Sequence, residues 1–230
     1  MDAGALLLSI VALTLAVTNT TPVDSPFRCG PDSVCTCFPF DDGDLRVDCS
    51  KKNLQCIPEV PERATILDIG NNTIDISCGN FQPFSNLEEL YINDNGIQRL
   101  PSKTFLGLVK LKVLNLSGNK LNLTSKVYPS DVFKQLASLQ TLFLNGNVDT
   151  SGTHTGGFQY PDRSLEHPNN LKTLYIDGLS NTSFGRGFLN MNITTLNLSG
   201  FSGSCNVKEI NIDTFQNLPS VQLLNLSNRI

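Results

Sequence analysis

The sequence lacks the residues on which most enzyme and nucleic-acid-binding sites are built. It contains no tryptophan and only two histidines, His154 and His167. With 17 basic against 21 acidic residues and a net charge of −4, it has no excess of positive charge for nucleic acid or an anionic membrane surface. No Ser/His/Asp set, metal-ligand spacing or phosphate-binding loop is present. We therefore expect no catalysis, no cofactor and no nucleic-acid partner.

Long apolar segments are also missing, apart from one at the N-terminus. The segment Ala5–Val17 has the length of the apolar region of a secretory signal. It is shorter than the ~18–20 apolar residues that cross a bilayer. Its flank carries Asp2 and no lysine or arginine, so only the amino terminus is positive. We predict a signal peptide at residues 1–18 rather than a membrane anchor, and no other membrane-spanning segment.

One pattern of apolar residues and an asparagine recurs along the chain. It is clearest at residues 111–121, which have the form LxxLxLxxNxL. This pattern is the signature of a leucine-rich repeat. Each copy predicts a short strand whose alternate apolar side chains point inward. The copies lie 22 to 32 residues apart and begin at Ala64, Leu87, Leu111, Leu139, Leu171, Ile193 and Val221.

A second set of apolar residues precedes the strands and predicts the return side of each turn. Phe105 and Leu108 are examples before the strand at Leu111. Burying about seven apolar groups gains roughly 10–20 kcal/mol per turn. Ordering ~24 residues costs more, so a turn is stable only when stacked on its neighbours. We therefore predict an α/β leucine-rich-repeat solenoid with a curved parallel sheet on the concave face, an irregular or short helical convex side, and an N-terminal disulfide cap.

Asparagines at the ends of the strands predict a structural ladder. An amide side chain offers both donors and an acceptor, so it can satisfy backbone groups buried at a bend. In the fifth, sixth and seventh repeats the equivalent positions are Leu179, Phe201 and Arg229. We therefore expect the ladder to stop there, with altered turns from about residue 177 onward. The ladder residues are Asn72, Asn95, Asn119 and Asn147.

Four cysteines within 21 residues precede the first repeat. In a secreted protein such a cluster predicts a disulfide module, whereas a zinc site favours CxxC pairs in an intracellular protein. The first repeat needs a module of this kind because its outer side would otherwise expose leucines to water. We predict an N-terminal cap at residues 29–62. Its cysteines are Cys29, Cys35, Cys37 and Cys49.

The cysteine cluster and the following Leu-x-x-Ile-Pro run resemble the N-terminal cap of extracellular leucine-rich-repeat proteins. Units of 22 to 32 residues, Phe-x-x-Leu return sides and LNLS strands resemble the ectodomain of Toll-like receptors. The resemblance covers nearly the whole mature chain. It implies the disulfides Cys29–Cys37 and Cys35–Cys49. The repeat pattern itself predicts about seven repeats at residues 63–230, and the chain ends inside the last one. We therefore expect the N-terminal part of a larger receptor, a splice form or an incomplete gene model.

The remaining cysteines are Cys56, Cys78 and Cys205. Cys56 and Cys78 are 22 residues apart, about one turn, so a disulfide can form between them if they lie on adjacent turns. Cys205 is either a free buried thiol or a residue that pairs outside this chain.

The chain contains eight Asn-x-Ser/Thr sequons, which supports passage through the secretory pathway. Three of them, Asn115, Asn197 and Asn225, point from the concave sheet, where a glycan would obstruct binding. Asn122 and Asn181 are better placed, on loops, and Asn19 precedes the cap. Glycosylation is predicted at Asn71, Asn115, Asn122, Asn181, Asn192 and Asn197.

Outward positions of the predicted strands form a candidate binding face. Stacked strands place three aromatic side chains in one row, which is a signal for a contact site. Ordinary exposed aromatics on a sheet are the alternative. A glycine-rich segment at 148–170, which holds both histidines, is predicted to be a solvated bulge or a second contact region. The candidate face comprises Tyr91, Asn93, Asn115, Phe143, Asn145, Tyr175 and Asp177.

Two functions fit the resemblance. The first is a secreted or extracellular ligand-recognition ectodomain of a Toll-like pattern-recognition receptor, without its own membrane or signalling domain. It would bind a protein or microbial ligand and could form receptor dimers. The second is a secreted leucine-rich-repeat matrix or adhesion protein. The uneven repeat lengths favour the first, because matrix proteins use more even units.

Overall fold

The computed structural model describes residues 25–40, 42–124, 126–148, 159–179, 183–198 and 213–226. The predictions for the signal peptide at residues 1–18 and for Asn19, His154, Asn181 and Cys205 lie outside these ranges.

The described residues form one ten-stranded sheet in which the strands follow chain order. The first three strands pair antiparallel, and from β3 onward each strand pairs in parallel with the next. One parallel strand per repeat confirms the predicted leucine-rich-repeat solenoid. The strands are β1 (Phe27–Cys29), β2 (Cys35–Pro39), β3 (Leu45–Asp48), β4 (Ile66–Asp68), β5 (Glu89–Tyr91), β6 (Val113–Asn115), β7 (Thr141–Phe143), β8 (Thr173–Tyr175), β9 (Thr195–Asn197) and β10 (Leu223–Asn225).

The strands alternate between the interior and the concave face, as the pattern predicts. From β4 to β8 the central residue is buried and its two neighbours are half-buried. Leu114, at the centre of β6, is fully buried and lies opposite Leu90 and Leu142 on the adjacent strands. The interior is therefore a continuous column of aliphatic side chains.

The return side is built mostly of turns around stacked aromatic side chains. The rings of Phe81 and Phe105 are 6.3 Å apart, and those of Phe105 and Phe133 are 5.9 Å apart. Among the described residues of the return side, the helical segments are one turn of α-helix, α1 (Asp162–Leu165), and a 3-10 turn at Arg186–Asn190. A further 3-10 turn, Pro31–Ser33, lies in the cap. The convex side is thus irregular, as predicted.

The asparagine ladder holds successive turns together. The Asn119 carboxamide oxygen accepts the backbone N–H groups of Asn95 at 2.9 Å and Ile97 at 3.1 Å, one turn earlier. Its amide nitrogen donates to the carbonyl oxygens of Ile92 and Leu116, both at 3.0 Å. Asn119 is 5% exposed, so these backbone groups have no access to water. The ladder residues are therefore structural, as the sequence indicates.

Asp177 continues the ladder in the next turn, which corrects two expectations. It is 4% exposed, so its assignment to the exposed binding face is wrong. Its carboxylate accepts the backbone N–H groups of Gly146 at 2.6 Å, Asn147 at 2.8 Å and Val148 at 2.9 Å. Burial raises the pKa of Asp177, and these three N–H groups act in the opposite direction. The ladder does not stop at Leu179, because a carboxylate two residues earlier supplies the acceptors.

The N-terminal cap continues the sheet rather than standing apart from it. The disulfides Cys29–Cys37 and Cys35–Cys49 join β1, β2 and β3, and they are the pairs that the resemblance implies. The third disulfide, Cys56–Cys78, links two adjacent turns. β3 pairs in parallel with β4. The cap thereby covers the open side of the first repeat and extends the concave face by one strand.

Removing the third disulfide is expected to weaken the first repeats. The double substitution Cys56→Ser, Cys78→Ser opens a loop of sequence separation 22. We expect the free energy of unfolding to fall by about 3 kcal/mol, because the unfolded chain gains loop entropy. Urea denaturation of the purified protein measures this change. Ser85→Ala with Ser102→Ala, at two exposed serines, is the control, and equal urea midpoints for both double variants would contradict the prediction.

Candidate functional site

The outward residues at the ends of strands β3 to β9 form one row, here called the concave row. Parallel pairing in constant register places each of these residues directly beside the next. The alignment of Tyr91, Asn115, Phe143 and Tyr175 that the sequence predicts is present. The concave row comprises Asp48, Asp68, Tyr91, Asn115, Phe143, Tyr175 and Asn197.

Phe143 and Tyr175 form an aromatic pair in the concave row. Their ring centroids are 4.3 Å apart and the rings are inclined by only 16°. Both side chains are half-buried. The two rings cover one face of each other, and their remaining surface borders the concave side. β7 and β8 therefore present apolar surface where a half-solvated sheet normally presents polar side chains.

Tyr91 lies two strands away from this pair, beyond Asn115. Its hydroxyl donates to the Glu89 carboxylate at 2.7 Å. Burial and this hydrogen bond raise the pKa of Tyr91 to about 12. The phenol therefore stays neutral at physiological pH, and its hydroxyl hydrogen is already used in the hydrogen bond to Glu89. Tyr91 offers a ligand its ring rather than a free donor.

The end of the concave row nearest the cap is acidic. Asp48 and Asp68 lie side by side on β3 and β4. Arg46 is 3.8 Å from Asp68 and is the basic residue of this group. Burial raises the pKa of Asp68, and the charge of Asp48 adds to the rise, whereas the Gly70 N–H and Arg46 lower it. With Glu89, strands β3 to β5 carry three outward carboxylates and the guanidinium of Arg46. Arg28 lies beyond Asp48, 3.5 Å from the Thr36 hydroxyl, so this end of the row keeps a surplus of negative charge.

Three asparagines of the predicted face lie in or beside the concave row. The Asn115 side-chain oxygen accepts from the backbone N–H of Ser117 at 3.0 Å and from its hydroxyl at 2.7 Å. Asn93 donates to Asp94 at 2.7 Å. The side-chain oxygen of Asn145 is buried and has no hydrogen-bond partner among the described residues. Asn115 therefore keeps its amide nitrogen for a ligand.

The predicted glycosylation sites differ in exposure. Asn71 and Asn192 are exposed, and Asn115 and Asn122 are half-buried. Asn197 is only 9% exposed, which disfavours a glycan at that position. Glycosylation stays a prediction for Asn71, Asn115, Asn122, Asn192 and Asn197.

The sequence reasoning missed Asp48 and Asp68, which the structure adds to the concave face. Asp48 lies in the cap, before the first predicted repeat, whereas Asp68 lies between Leu67 and Ile69 of the first repeat, both fully buried. A signal was present, because Leu45 and Val47 alternate like the strand leucines and are fully buried. That alternation places Asp48 outward.

Two classes of site are absent from the part of the chain that the structure describes. There, no group of three or more His, Cys, Asp or Glu side chains is arranged to hold a metal ion. Within the same residues, no helix is long and apolar enough to cross a membrane. His167 is half-buried in the turn after α1.

Comparison with known proteins finds leucine-rich-repeat relatives. The family model described as "Leucine rich repeat" matches residues 85–148. Toll-like receptor 2 of Ovis aries is 41% identical over 86 residues, which is 37% of this chain and 10% of that protein. Leucine-rich repeat-containing G-protein coupled receptor 5 of Homo sapiens is 35% identical over 120 residues, 51% of this chain and 13% of that protein. Leucine-rich repeat-containing protein 19 of Mus musculus is 35% identical over 77 residues, 32% of this chain and 21% of that protein.

A solved structure shares the fold. It is the crystal structure of a TLR13–ssRNA13 complex, with a TM-score of 0.51 and 22% sequence identity, covering 74% of this chain and 27% of that one. Each of the relatives named above is far longer than the part matched, since the chain spans between 10 and 21% of their lengths.

Proposed function

We propose that this chain, a leucine-rich-repeat protein that resembles the ectodomain of a Toll-like receptor, is a ligand-recognition module of a pattern-recognition receptor in innate immunity. The aromatic pair Phe143 and Tyr175 on the concave face is the main support. Both rings are only half-buried, and partly exposed aromatic side chains among polar neighbours are enriched at contact sites. The concave row is the proposed recognition surface.

The framework suits binding rather than chemistry. The ladder and the stacked interior hold the concave side chains on short strands in constant register, and a rigid scaffold keeps the entropic cost of binding low. The three disulfides fit an oxidising compartment, as in a secreted or extracellular protein. Its partners would be a protein or a microbial ligand, and a second receptor chain in a dimer. We propose no catalytic activity.

A binding assay with the purified full chain tests this function. The probes are a bacterial lipopeptide, peptidoglycan and single-stranded RNA as microbial molecules, and fibrillar collagen as a matrix protein. We expect at least one microbial probe to bind, and the double substitution Phe143→Ser, Tyr175→Ser to weaken that binding at least about tenfold, as is usual for buried aromatic anchors.

The matched control is Phe27→Ser with Phe40→Ser, which removes two aromatic side chains that are 41% and 46% exposed in the cap. This control should leave binding unchanged. Binding of collagen alone would overturn the proposal in favour of a matrix or adhesion protein. If the Phe143→Ser, Tyr175→Ser variant binds the microbial probe with the affinity of the unsubstituted protein, the concave row is not the recognition surface.

A further inference from the structure

We propose that the concave row binds an extended cationic peptide, with basic side chains against Asp48 and Asp68 and an aromatic side chain against Phe143 and Tyr175. This inference rests on the proposed function, because it uses the same surface, and it adds the chemistry of the ligand. The proposal follows from the order of charges and rings along the row.

The acidic end of the row has unused acceptor capacity. One Asp48 oxygen accepts from the backbone and hydroxyl of Ser50, and one Asp68 oxygen accepts from the Gly70 N–H. The second oxygen of Asp48 accepts no hydrogen bond within the described ranges. The carboxylates of Asp48 and Asp68 repel each other, because like charges on adjacent strands are destabilising. A bound cation would be attracted to both carboxylates and would also reduce the repulsion between them.

The aromatic end of the row suits a different side chain. Around Phe143 and Tyr175 the neighbours in the row are Asn115 and Asn197, which are uncharged. An apolar ring can bury its surface against the pair, and the Asn115 amide nitrogen can donate to a peptide carbonyl. The two ends therefore select for an amphipathic sequence, basic at one end and aromatic at the other.

The dimensions of the row fit a short extended peptide. Adjacent strands lie roughly 4.8 Å apart, so the five steps from Asp48 to Tyr175 span about 24 Å. An extended chain advances about 3.3 Å per residue, so about seven residues bridge this distance. Every second side chain of such a peptide faces the sheet. Basic residues two apart therefore match Asp48 and Asp68, with the aromatic residue four to six positions further.

The same surface disfavours nucleic acid. Single strands bind where bases stack on aromatic side chains along a positively charged groove. Phe143 and Tyr175 could stack with bases, but the other end of the row carries the carboxylates of Asp48, Asp68 and Glu89. Only two guanidinium groups lie beside these among the described strands β1 to β5, Arg46 and, beyond Thr36, Arg28. A phosphate chain would meet net negative charge at that end. RNA is therefore not the proposed ligand, and the experiment below includes a single-stranded RNA as a competing probe.

The sequon at Asn115 lies midway along the proposed peptide. The Asn115 oxygen is held by Ser117, the third residue of that sequon. A glycan on the amide nitrogen would occupy the row between the carboxylates and the rings. In place of the glycosylation predicted from the sequon, we therefore expect Asn115 to be unmodified in the protein that binds.

The experiment measures fluorescence anisotropy of labelled octapeptides with the purified full chain at low salt. The first probe is acetylated and amidated, with arginine at its first and third positions, phenylalanine at its seventh and serine elsewhere, and it is tested in both chain directions. The second probe has glutamate in place of arginine. An eight-nucleotide single-stranded polyuridylate is the third. The arginine peptide should bind at least about tenfold tighter than the other two, because opposite charges attract.

Two double variants locate the contacts. Asp48→Asn with Asp68→Asn should weaken the arginine peptide about tenfold and remove most of its salt dependence. Glu59→Gln with Asp131→Asn makes the same change of charge at two exposed return-side residues, and should have no such effect. Ser117→Ala removes the sequon, but the backbone N–H of residue 117 can still hold the Asn115 oxygen, so this variant should bind like the unsubstituted protein.

Three results would overturn the inference. These are equal binding of the arginine and glutamate peptides, tighter binding of polyuridylate, or peptide binding that appears only in Ser117→Ala. If a microbial probe still binds and loses affinity with the Phe143 and Tyr175 substitutions, only the cationic-peptide assignment has failed. If neither that probe nor any peptide depends on the concave row, the proposed function has failed as well.

Discussion

Replacing Leu114 with aspartate is expected to abolish secretion of the protein. Leu114 is fully buried at the centre of β6, between Leu90 and Leu142 of the adjacent strands. The new carboxylate would have no cation or donor within this aliphatic column, and burying an unpaired charge costs several kcal/mol or more. Lost leucine packing adds about 2–5 kcal/mol. Together these costs are comparable to the whole stability of a typical domain, roughly 5–15 kcal/mol.

Leu106→Asp provides a matched control, because Leu106 is in the preceding return segment and is 38% exposed. The same chemical change there should leave export nearly unchanged. Immunoblotting of medium and cell lysate measures both variants in parallel. Normal export of Leu114→Asp would mean that the strand does not face the interior, and the repeat register would then be wrong.

Replacing Asn119 with alanine is expected to give the second largest loss of stability. The substitution leaves the N–H groups of Asn95 and Ile97 and the carbonyl groups of Ile92 and Leu116 without their partner. Each buried group left unsatisfied costs about 1–3 kcal/mol, although some will relax or recruit water. We expect the free energy of unfolding to fall by roughly 2–5 kcal/mol. The melting temperature should fall by about 5–15 °C.

Thermal unfolding followed by circular dichroism measures this loss. Asn169→Ala, at an exposed asparagine of the return side, is the control and should melt within about 1–2 °C of the unsubstituted protein. Asn119→Asp separates the two halves of the amide, since it keeps an acceptor and loses the donors. Its stability should lie between those of the unsubstituted protein and Asn119→Ala. An Asn119→Ala protein that melts with the control would show that the ladder is dispensable.

Most residues of the concave row that lie within the repeats could be predicted from the alternation of the strand residues. Asp48, which lies in the cap, could not. Tyr91, Asn115, Phe143 and Tyr175 each lie between the two strand leucines, so alternation alone places them outward. Asp68 lies outward by the same rule, between Leu67 and Ile69, whereas Asp48 lies in the cap, before the first predicted repeat. The position of Asp48 beside Asp68 became visible only from the pairing of β3 with β4.

Local periodicity is enough to establish the strands, their inward leucines and the stacking of turns, because side-chain direction along an extended chain depends on neighbouring residues alone. The burial of the Asp177 side chain is not determined in this way. Whether that carboxylate points to solvent or inward depends on the N–H groups of Gly146, Asn147 and Val148, which lie 31, 30 and 29 residues earlier. No local pattern encodes such a partner, since the donors become available only after the preceding turn has folded beside it. The stacked turns thus converted a residue that alternation assigns to the surface into a buried acceptor.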